Sequence, residues 1–373
     1  MNLEFSEEQV LLTNLVERFT TDYYDLSKRE KYVQSPQGFS LKNWEKLAET
    51  GILTVPFSES YGGLGGNVED IICVMQPLGK AVAVEPMLTS PILAGSLLER
   101  IGTESQKNDW IPKIIMGQSH IALAHSEPAA RYDLEFVETT FSTTKNSTKL
   151  SGEKTFVLGA ASADVFIVSA VPSTAGAVSA NIEFFLVNKN ASGLTNKSYR
   201  LIDGSIAYEL SFNDTPAEPM NGTFDDLLSV ISLTKIAACA EMVGLMERLL
   251  EDTITYVKTR EQFGRPLSKM QVIKHRLADS HVSLELCRSH LLRMAASNES
   301  DPDYTRMTSG SKAFVSKAAV ALAEEAIQLH GGMGITNELI IGHAMKRILL
   351  LATLFGDADT ETARFSLSTR TAA

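Results

Sequence analysis

Three glycines in four positions follow a helical pattern near the C-terminus, in the segment Gln328-Leu329-His330-Gly331-Gly332-Met333-Gly334. A helix C-cap needs one glycine, so the others leave bare backbone N–H groups open to a phosphate or a flat ring. Arg260 offers complementary chemistry, because its guanidinium presents a rigid fork of donors that suits a diphosphate. The simpler interpretation of the glycine segment is a plain turn, and that of Arg260 is an arginine in the last turn of a helix that offsets the helix dipole.

Two further segments could hold a planar heterocycle. In Ala124-His125-Ser126-Glu127-Pro128, a hydroxyl and backbone groups held in a turn could hydrogen-bond to the edge of the ring. Phe156 lies between Gly152 and Gly159, where an aromatic side chain on a strand can pack against the ring face. An ordinary loop and a core phenylalanine are the competing interpretations. His125 alone is more typical of a structural histidine than of an acid or base.

Polar groups also mark two helix termini. Gln271 lies on the helix after Arg260, with His275 and Asp279 at i+4 and i+8, so this face is either a polar site or solvated surface. Between the last two helices, Phe355-Gly356-Asp357-Ala358-Asp359 places two carboxylates beside a glycine. Either carboxylate could act as a base or could cap the final helix.

The elements that must position these residues begin with a helical zone that reaches to about Met116. Apolar residues recur there every three to four positions, and Ser6, Ser40 and Thr103 are suitable N-caps. The pattern predicts helices at 5–19, 41–50, 68–82, 91–101 and 104–116. Val55–Gly66 is predicted to be a loop by its proline and glycine content.

From His120 to about Gly222 the pattern changes to period two, which predicts strands. They are expected at Asp164–Val171, Ile182–Val187 and Ala207–Phe212, with two more strands inside Phe136–Leu150. Long helical patterns return from Asp225 onward, at 227–260, 270–296, 304–330 and 338–354.

The predicted fold class is therefore α+β and multidomain. An N-terminal helical domain (1–117) precedes a middle antiparallel β domain or barrel (118–222) and a C-terminal four-helix bundle (223–373). No βαβ alternation and no GxGxxG motif after a strand occur in the sequence, which argues against a Rossmann nucleotide fold.

Composition excludes several classes of function. The 373 residues carry 34 basic and 45 acidic side chains, a net charge of −11 that disfavours nucleic acid as a partner. The acidic N-terminus and the lack of a long apolar run argue against a signal peptide and against membrane insertion. The 3 cysteines lie far apart, which predicts free thiols in a reducing cytoplasm. The 7 histidines are scattered, so no metal site is expected.

Taken in order and with their separations, the five segments resemble the acyl-CoA dehydrogenase family of flavoproteins over nearly the whole chain. Arg260-Glu261-Gln262-Phe263-Gly264 and Gln328–Gly334 are the most specific motifs, and the loop Tyr61–Gly65 also matches. The resemblance implies a helix–barrel–bundle fold with FAD between the β domain and the bundle, completed by a neighbouring subunit. It also implies dehydrogenation of an acyl-CoA thioester to the trans-2-enoyl-CoA, in which a carboxylate removes the α-proton and the β-hydride passes to flavin N5.

The same resemblance implies roles for individual residues. His125 and Ser126 would meet the flavin ring, and Phe156 would lie against it. The remaining cofactor residues would reach the diphosphate or adenine half of a FAD held mainly by the partner: Arg260, Phe263, Gln271, Gln328, Gly331 and Gly332. Implied partners are an electron-transfer flavoprotein or similar acceptor and either identical subunits, in a homodimer or homotetramer, or a paralogous subunit in a heterotetramer. The implied setting is fatty acid or lipid catabolism.

The sequence departs from the family pattern at three places. Phe156 replaces the usual tryptophan, and Ala129-Ala130-Arg131 replaces the usual Gly-Ser-Asp after the Glu-Pro turn. Direct superposition on the usual Tyr-Glu-Gly-Thr puts Gly356 where the catalytic glutamate belongs. The minority position for this base, ten residues before Gly244, is Thr234.

Three interpretations of the missing glutamate remain open. Asp357 is a displaced base in a homo-oligomer, with a pKa expected to be raised by desolvation. Alternatively, the chain is the small subunit of a heteromer whose partner carries the base. His125–Pro128 followed by Arg131–Leu134 favours this branch, the pimeloyl-CoA or steroid side-chain type of two-component enzyme. In the third interpretation it is a flavin oxidase or monooxygenase of the same fold.

Overall fold

The computed structural model describes residues 6–145, 147–173, 182–297, 299–301 and 303–370. These residues form two compact units, each assembled from segments that are far apart in the sequence. The described residues of Lys31–Asn67 and Val84–Thr234 make up the β unit, and those of Met1–Glu30, Val68–Ala83 and Lys235–Ala373 make up the helical unit. The predicted domain boundaries at 117/118 and 222/223 stay predictions.

Strands of the β unit form a barrel with two added strands. In the described part of the chain they are β1 (Ile121–Ala124), β2 (Thr140–Thr144), β3 (Ser147–Leu158), β4 (Val165–Pro172), β5 (Glu183–Asn188), β6 (Leu194–Arg200) and β7 (Ile206–Pro219). Pairing runs β4–β2–β3–β7–β5, and β5 pairs back with β4, so these five strands close on themselves. β1 adds to β4 and β6 adds to β7. The predicted β domain is confirmed.

The expectation of an antiparallel sheet is wrong at two pairings. β4 runs parallel to β1, with Ile121 opposite Val165, and parallel to β2, with Thr140 opposite Val171. The β2–β3 hairpin is completed before β4 begins, so β4 re-enters the sheet in the direction of β1 and β2. Side chains alternate with the same period in both kinds of pairing, so the sequence pattern does not distinguish them.

The barrel interior is filled by alternating apolar side chains, among them Leu150, Phe166, Val168, Phe185 and Leu210, all at most 3% exposed. This alternation fixes which face of each strand is inward, because a shift of one residue would turn the apolar set to solvent.

The helices confirm most of the predicted pattern. They are α1 (Glu7–Tyr23), α2 (Leu26–Gln34), α3 (Leu41–Glu49), α4 (Val68–Lys80), α5 (Ser96–Ile101), α6 (Glu104–Ile115), α7 (Phe224–Thr259), α8 (Gln271–Ala295), α9 (Tyr304–His330), α10 (Ile340–Thr353) and α11 (Ala358–Arg370). Ser6 and Thr103 form capping boxes, and Ser40 accepts a hydrogen bond from the backbone of Asn43. In the helical unit, α9 packs against α8, α10 and α11.

Two helical segments differ from the predicted pattern. The helix expected at 91–101 is divided, because Leu88–Gly95 is π-helical and α5 begins only at Ser96. Pro91 lies inside the π-helical segment, where it provides no N–H for an α-helical hydrogen bond. α2 was not predicted, since its largely polar sequence has no apolar stripe.

Three further features bear on function class. By length and composition alone α7 could cross a membrane, but 83% of its most apolar window is buried inside the protein, which makes it weak evidence. No group of three or more His, Cys, Asp or Glu side chains that could hold a metal ion occurs in the part of the chain that the structure describes. The three cysteines are free and buried, as predicted.

Candidate active site

In the β unit, the backbone of His125 and Ser126 is tied to β3 by two neighbouring hydrogen bonds. Lys154 Nζ donates to the carbonyl of His125 at 3.1 Å. The N–H of Thr155 donates to the carbonyl of Ser126 at 2.8 Å. The half-buried Ser126 is therefore held in a fixed register against the strand that carries Phe156.

The His125 ring has a structural role. It is 5% exposed, and its two nitrogens lie 2.9 Å from Ser169 Oγ and 2.9 Å from the carbonyl of Leu134. Desolvation, with the charge of Lys154, lowers the pKa of His125 to about 3, so the imidazole is neutral. In this segment, the candidates for ligand contact are therefore the backbone of His125 and Ser126 and the Ser126 hydroxyl.

Phe156 lies in a β-bulge of β3. Lys154 pairs with Leu210 and Val157 pairs with Tyr208, so β3 has one residue more than β7 between these pairs. Phe156 adopts a positive φ of 54°, and its side chain is half-buried. A non-glycine residue in such a conformation costs about 1–3 kcal/mol, and strain of this kind concentrates at ligand sites. The bulge therefore supports Phe156 as a binding residue.

Behind these two segments lies a buried ion pair that the sequence analysis missed. Lys154 Nζ is 2.7 Å from Glu127 Oε1 and 2.9 Å from Ser169 Oγ, and the charged side chains are 0% and 2% exposed. The backbone N–H groups of Glu138 and Thr139 also donate to Glu127. Desolvation lowers the pKa of Lys154 to about 8. Burial would raise the pKa of Glu127, but the charge of Lys154 and the hydrogen bonds outweigh it, so the pKa of Glu127 is lowered. The sequence signal that could have found this pair is the inward position of Lys154 in the alternation of β3, because a charged side chain facing the core needs a partner.

In the helical unit, Arg260 directly follows α7 and begins a short hairpin of β8 (Glu261–Gln262) and β9 (Arg265–Pro266). Phe263 and Gly264 form its turn with φ values of 54° and 74°. Positive φ at both positions is typical of a type I′ turn, which asparagine and glycine adopt more easily than phenylalanine. The turn holds the Phe263 ring at 89% exposure.

The ends of α7 and α9 and the start of α8 meet around one apolar cluster of Val257, Ile273 and Leu329. Tyr256 stacks on His330, with ring centroids 4.3 Å apart, one turn before Arg260. This packing gathers six predicted cofactor residues, all of them exposed, at one end of the helices: Arg260, Phe263, Gln271, Gln328, Gly331 and Gly332. We call these six residues the bundle-end cluster.

The glycines of the bundle-end cluster leave their backbone open. A Cβ built on Gly331 or on Gly332 meets no atom within 4 Å, so the packing of the described residues does not require glycine at either position. Gly331, with a φ of 61°, ends α9. The Gln271 side chain lies 3.5 Å from His275 Nε2 and is otherwise at the surface. Open backbone next to exposed donors is the arrangement that an anionic ligand needs.

Asp357 is the N-cap of α11. Its Oδ1 accepts a hydrogen bond of 2.8 Å from the N–H of Thr360. The hydrogen bonds from Thr360 lower the pKa of Asp357 below its ordinary value. The expectation that desolvation raises this pKa is wrong, because the side chain is half-buried and its charge is stabilised by the helix N-terminus. The capping interpretation of Asp357 is confirmed, and its role as a base stays a prediction.

Next to Asp357, a second missed group of charges surrounds Gly356. Glu361 is fully buried, with Lys235 Nζ at 2.9 Å and Arg364 in contact with its Oε1. Arg364 also donates to the carbonyl of Phe355 at 2.6 Å. A Cβ built on Gly356, whose φ is 145°, would overlap the Glu361 carboxylate and lie 2.9 Å from Arg364 Nη1. A side chain at position 356 would therefore require the Glu361 carboxylate and the Arg364 guanidinium to move.

Lys312 anchors the other side of this turn. It is 0% exposed, and its Nζ donates to Ser316 Oγ at 2.9 Å and to the carbonyls of Leu351 and Ala352 at 2.9 and 3.1 Å. Desolvation lowers the pKa of Lys312 to about 8. A buried ammonium at the C-terminal carbonyls of α10 both satisfies them and offsets the helix dipole, and it holds the turn before Asp357.

The side chains at both sites fit FAD. The β unit provides a strained, half-buried aromatic ring and a hydroxyl, which suit a flat ring system. The bundle-end cluster provides a guanidinium, two amide side chains and unobstructed glycine backbone, which suit a diphosphate.

Comparison with known proteins gives one family over nearly the whole chain. Models of the acyl-CoA dehydrogenase N-terminal, middle and C-terminal domains match residues 6–118, 122–215 and 224–365. The probable acyl-CoA dehydrogenase YngJ of Bacillus subtilis is 27% identical over 382 residues, covering 99% of this chain and 99% of YngJ.

Solved structures show the same fold. Butyryl-CoA dehydrogenase from Megasphaera elsdenii matches with a TM-score of 0.89 and 23% identity, covering 99% of this chain and 100% of that chain. A chain of the ChsE4–ChsE5 complex from Mycobacterium tuberculosis matches with a TM-score of 0.88 and 23% identity, covering 99% of both chains.

Proposed function

Because this chain belongs to the acyl-CoA dehydrogenase family, we propose that it is the FAD-binding subunit of an assembly in which a paralogous subunit carries the catalytic carboxylate. Family membership makes it a flavin-dependent oxidoreductase, with FAD as cofactor and acyl-CoA as its class of substrate. Bound FAD supplies the hydride acceptor for the dehydrogenation. A carboxylate must take the α-proton, and the proposal rests on the two positions where the family pattern places this carboxylate, which are Gly356 and Thr234 here.

Neither position at which the family places its glutamate offers a carboxylate here. Gly356 cannot be given a side chain without displacing Glu361, whose carboxylate already lies between Lys235 and Arg364. Thr234 is fully buried and donates its hydroxyl to the carbonyl of Val230 at 2.8 Å. Glu361 is a weak proton acceptor, since protonating it would leave the buried Lys235 and the half-buried Arg364 without the carboxylate that neutralises them.

The chain's own residues are assigned to holding the cofactor. Ser126 would hydrogen-bond to the flavin edge, Phe156 would cover its face, and the bundle-end cluster would hold the diphosphate or adenine half. Phe263 supports a subunit contact, because a ring held at 89% exposure by a strained turn gains from burial against another chain. The ChsE4–ChsE5 complex is an example of this fold in an assembly of two differently named chains.

A second candidate is a homo-oligomer in which Asp357 is the base. The observation that favours it is the position of Asp357, half-buried and directly after Gly356 in a turn anchored by Lys312. Its lowered pKa and its hydrogen bond to Thr360 weigh against it, because a base at neutral pH works best with a pKa near the working pH.

Further partners and location complete the proposal. The electron acceptor of the assembly would be an electron-transfer flavoprotein or a similar protein. Unusually fast reoxidation by oxygen would instead favour a flavin oxidase or monooxygenase of this fold. The three free, buried cysteines support a reducing cytoplasm.

The test is reconstitution of flavin reduction. The chain is purified alone and also co-expressed with acyl-CoA dehydrogenase paralogues of the same organism that retain the family's glutamate, and FAD is counted per chain. Each preparation is then mixed anaerobically with acyl-CoA thioesters of increasing length while flavin absorbance is followed. We expect no reduction by the chain alone and rapid reduction by the assembly. Full activity of the chain by itself would overturn the heteromeric proposal and favour Asp357 as the base.

A further inference from the structure

Lys154 joins three parts of the barrel through a single ammonium group. Its three N–H donors are all used, by the carbonyl of His125 after β1, by Ser169 Oγ on β4, and by Glu127 Oε1 in the following loop. The side chain is 0% exposed, so these three bonds are shielded from solvent.

Two consecutive residues of β3 thus hold two consecutive carbonyls. The side chain of Lys154 binds the carbonyl of His125, and the N–H of Thr155 binds the carbonyl of Ser126. Phe156 follows immediately at a φ of 54°. Such a strained residue keeps its conformation only where its surroundings over-determine it, and the fixed Ser126 segment beside the bulge provides that restraint.

From these contacts we propose that Lys154 is a positioning residue for the cofactor, which holds the Ser126 segment and the Phe156 bulge at the separation that the flavin ring needs. The inference rests on the proposed function, since these segments are its predicted flavin contacts. Glu127 keeps the ammonium in place but does not bond to the His125 carbonyl. The bond from Lys154 to that carbonyl, rather than the ion pair, is the functional element.

The ion pair and the positioning bond can be separated by substitution. Lys154→Met removes both, whereas Glu127→Gln breaks the ion pair and leaves Lys154 able to donate to the carbonyl of His125. Removing either partner of a buried pair is destabilising, so both variants should lower the thermal midpoint. Lys149→Met is the matched control, because Lys149 is an exposed lysine on the same strand.

FAD affinity is measured on the assembled protein by quenching of flavin fluorescence, beside the thermal midpoint of each variant. We expect the FAD dissociation constant to rise about tenfold in Lys154→Met, the loss of one hydrogen bond from a charged donor, and less than about twofold in Glu127→Gln. Lys149→Met should match wild type in both measurements. If Lys154→Met does not fold, Lys154→Gln, whose shorter amide cannot reach all three acceptors, is compared with Glu127→Gln in the same way.

Two results would overturn the inference. One is wild-type FAD affinity in the Lys154 variant. The other is an equal loss of affinity in the Lys154 and Glu127 variants at equal loss of thermal midpoint, which is what a purely structural pair would give. A wild-type protein that binds no FAD, alone or assembled, would instead refute the proposed function.

Discussion

Replacing Asp357 by asparagine and by alanine separates the two roles open to this carboxylate. Asp357 Oδ1 accepts a hydrogen bond of 2.8 Å from Thr360 at the start of α11. Asparagine keeps an acceptor oxygen and is about as good an N-cap, whereas alanine has none and should cost about 1 kcal/mol of stability. Loss of the charge at the helix N-terminus adds about 0.3–1 kcal/mol in either variant. We therefore expect Asp357→Ala to be the less stable variant.

The rate of flavin reduction gives the second measurement. Removing a general base lowers the rate of the chemical step by about 10²–10⁴-fold. If Asp357 only caps α11, stopped-flow reduction of FAD by acyl-CoA in the complete assembly should run at the wild-type rate in Asp357→Asn. Asp359→Asn, an exposed carboxylate in the first turn of the same helix, is the control. A loss of a hundredfold or more in Asp357→Asn with FAD still bound would refute this reasoning and make Asp357 the base.

Four other outcomes are expected. Arg260→Ala should raise the FAD dissociation constant at least about tenfold in the assembly, through loss of charge-assisted bonds, while Arg265→Ala on the same hairpin should not; unchanged affinity would remove Arg260 from the site. Desolvation lowers the pKa of His120 to about 4, so between pH 4 and 6.5 the unfolded chain binds more protons at this residue than the folded protein does. The free energy of unfolding should therefore fall as the pH is lowered from about 6.5 to 4. In His120→Phe the slope of this free energy against pH should be shallower by at most about 1.4 kcal/mol per pH unit. Lys312, with a pKa near 8, loses its proton more easily in the folded state, so the free energy of unfolding should rise between about pH 8 and 10.5. Lys312→Met should be less stable by about 2 kcal/mol and should show a smaller rise over this pH range. A free energy of unfolding that does not change with pH in the wild type would contradict this. Treatment with EDTA should leave flavin reduction unchanged, and activity restored by a divalent ion would disprove the absence of a catalytic metal.

The sequence by itself determined what depends on local interactions. The apolar period predicted α9 at Tyr304–His330, and Ser6 and Thr103 marked the start of α1 and α6, because an N-cap acts on backbone groups within three residues. The motifs Arg260–Gly264 and Gln328–Gly334 indicated the family, which the matches over all three domains confirm.

Tertiary structure decided the features that depend on contacts distant in the sequence. The parallel pairings of β4 depend on the order in which strands enter the barrel, and the bulge at Phe156 depends on how β7 pairs. The sequence shows no partner for Lys154 on the inward face of β3, because its partner Glu127 lies 27 positions earlier and only the fold brings it to 2.7 Å. For Asp357 the sequence left a base and a helix cap open, and the folded structure shows the cap. The hydrogen bonds from Thr360 lower the pKa of Asp357, since a pKa is set by the solvation and charges of the folded neighbourhood rather than by the residue type.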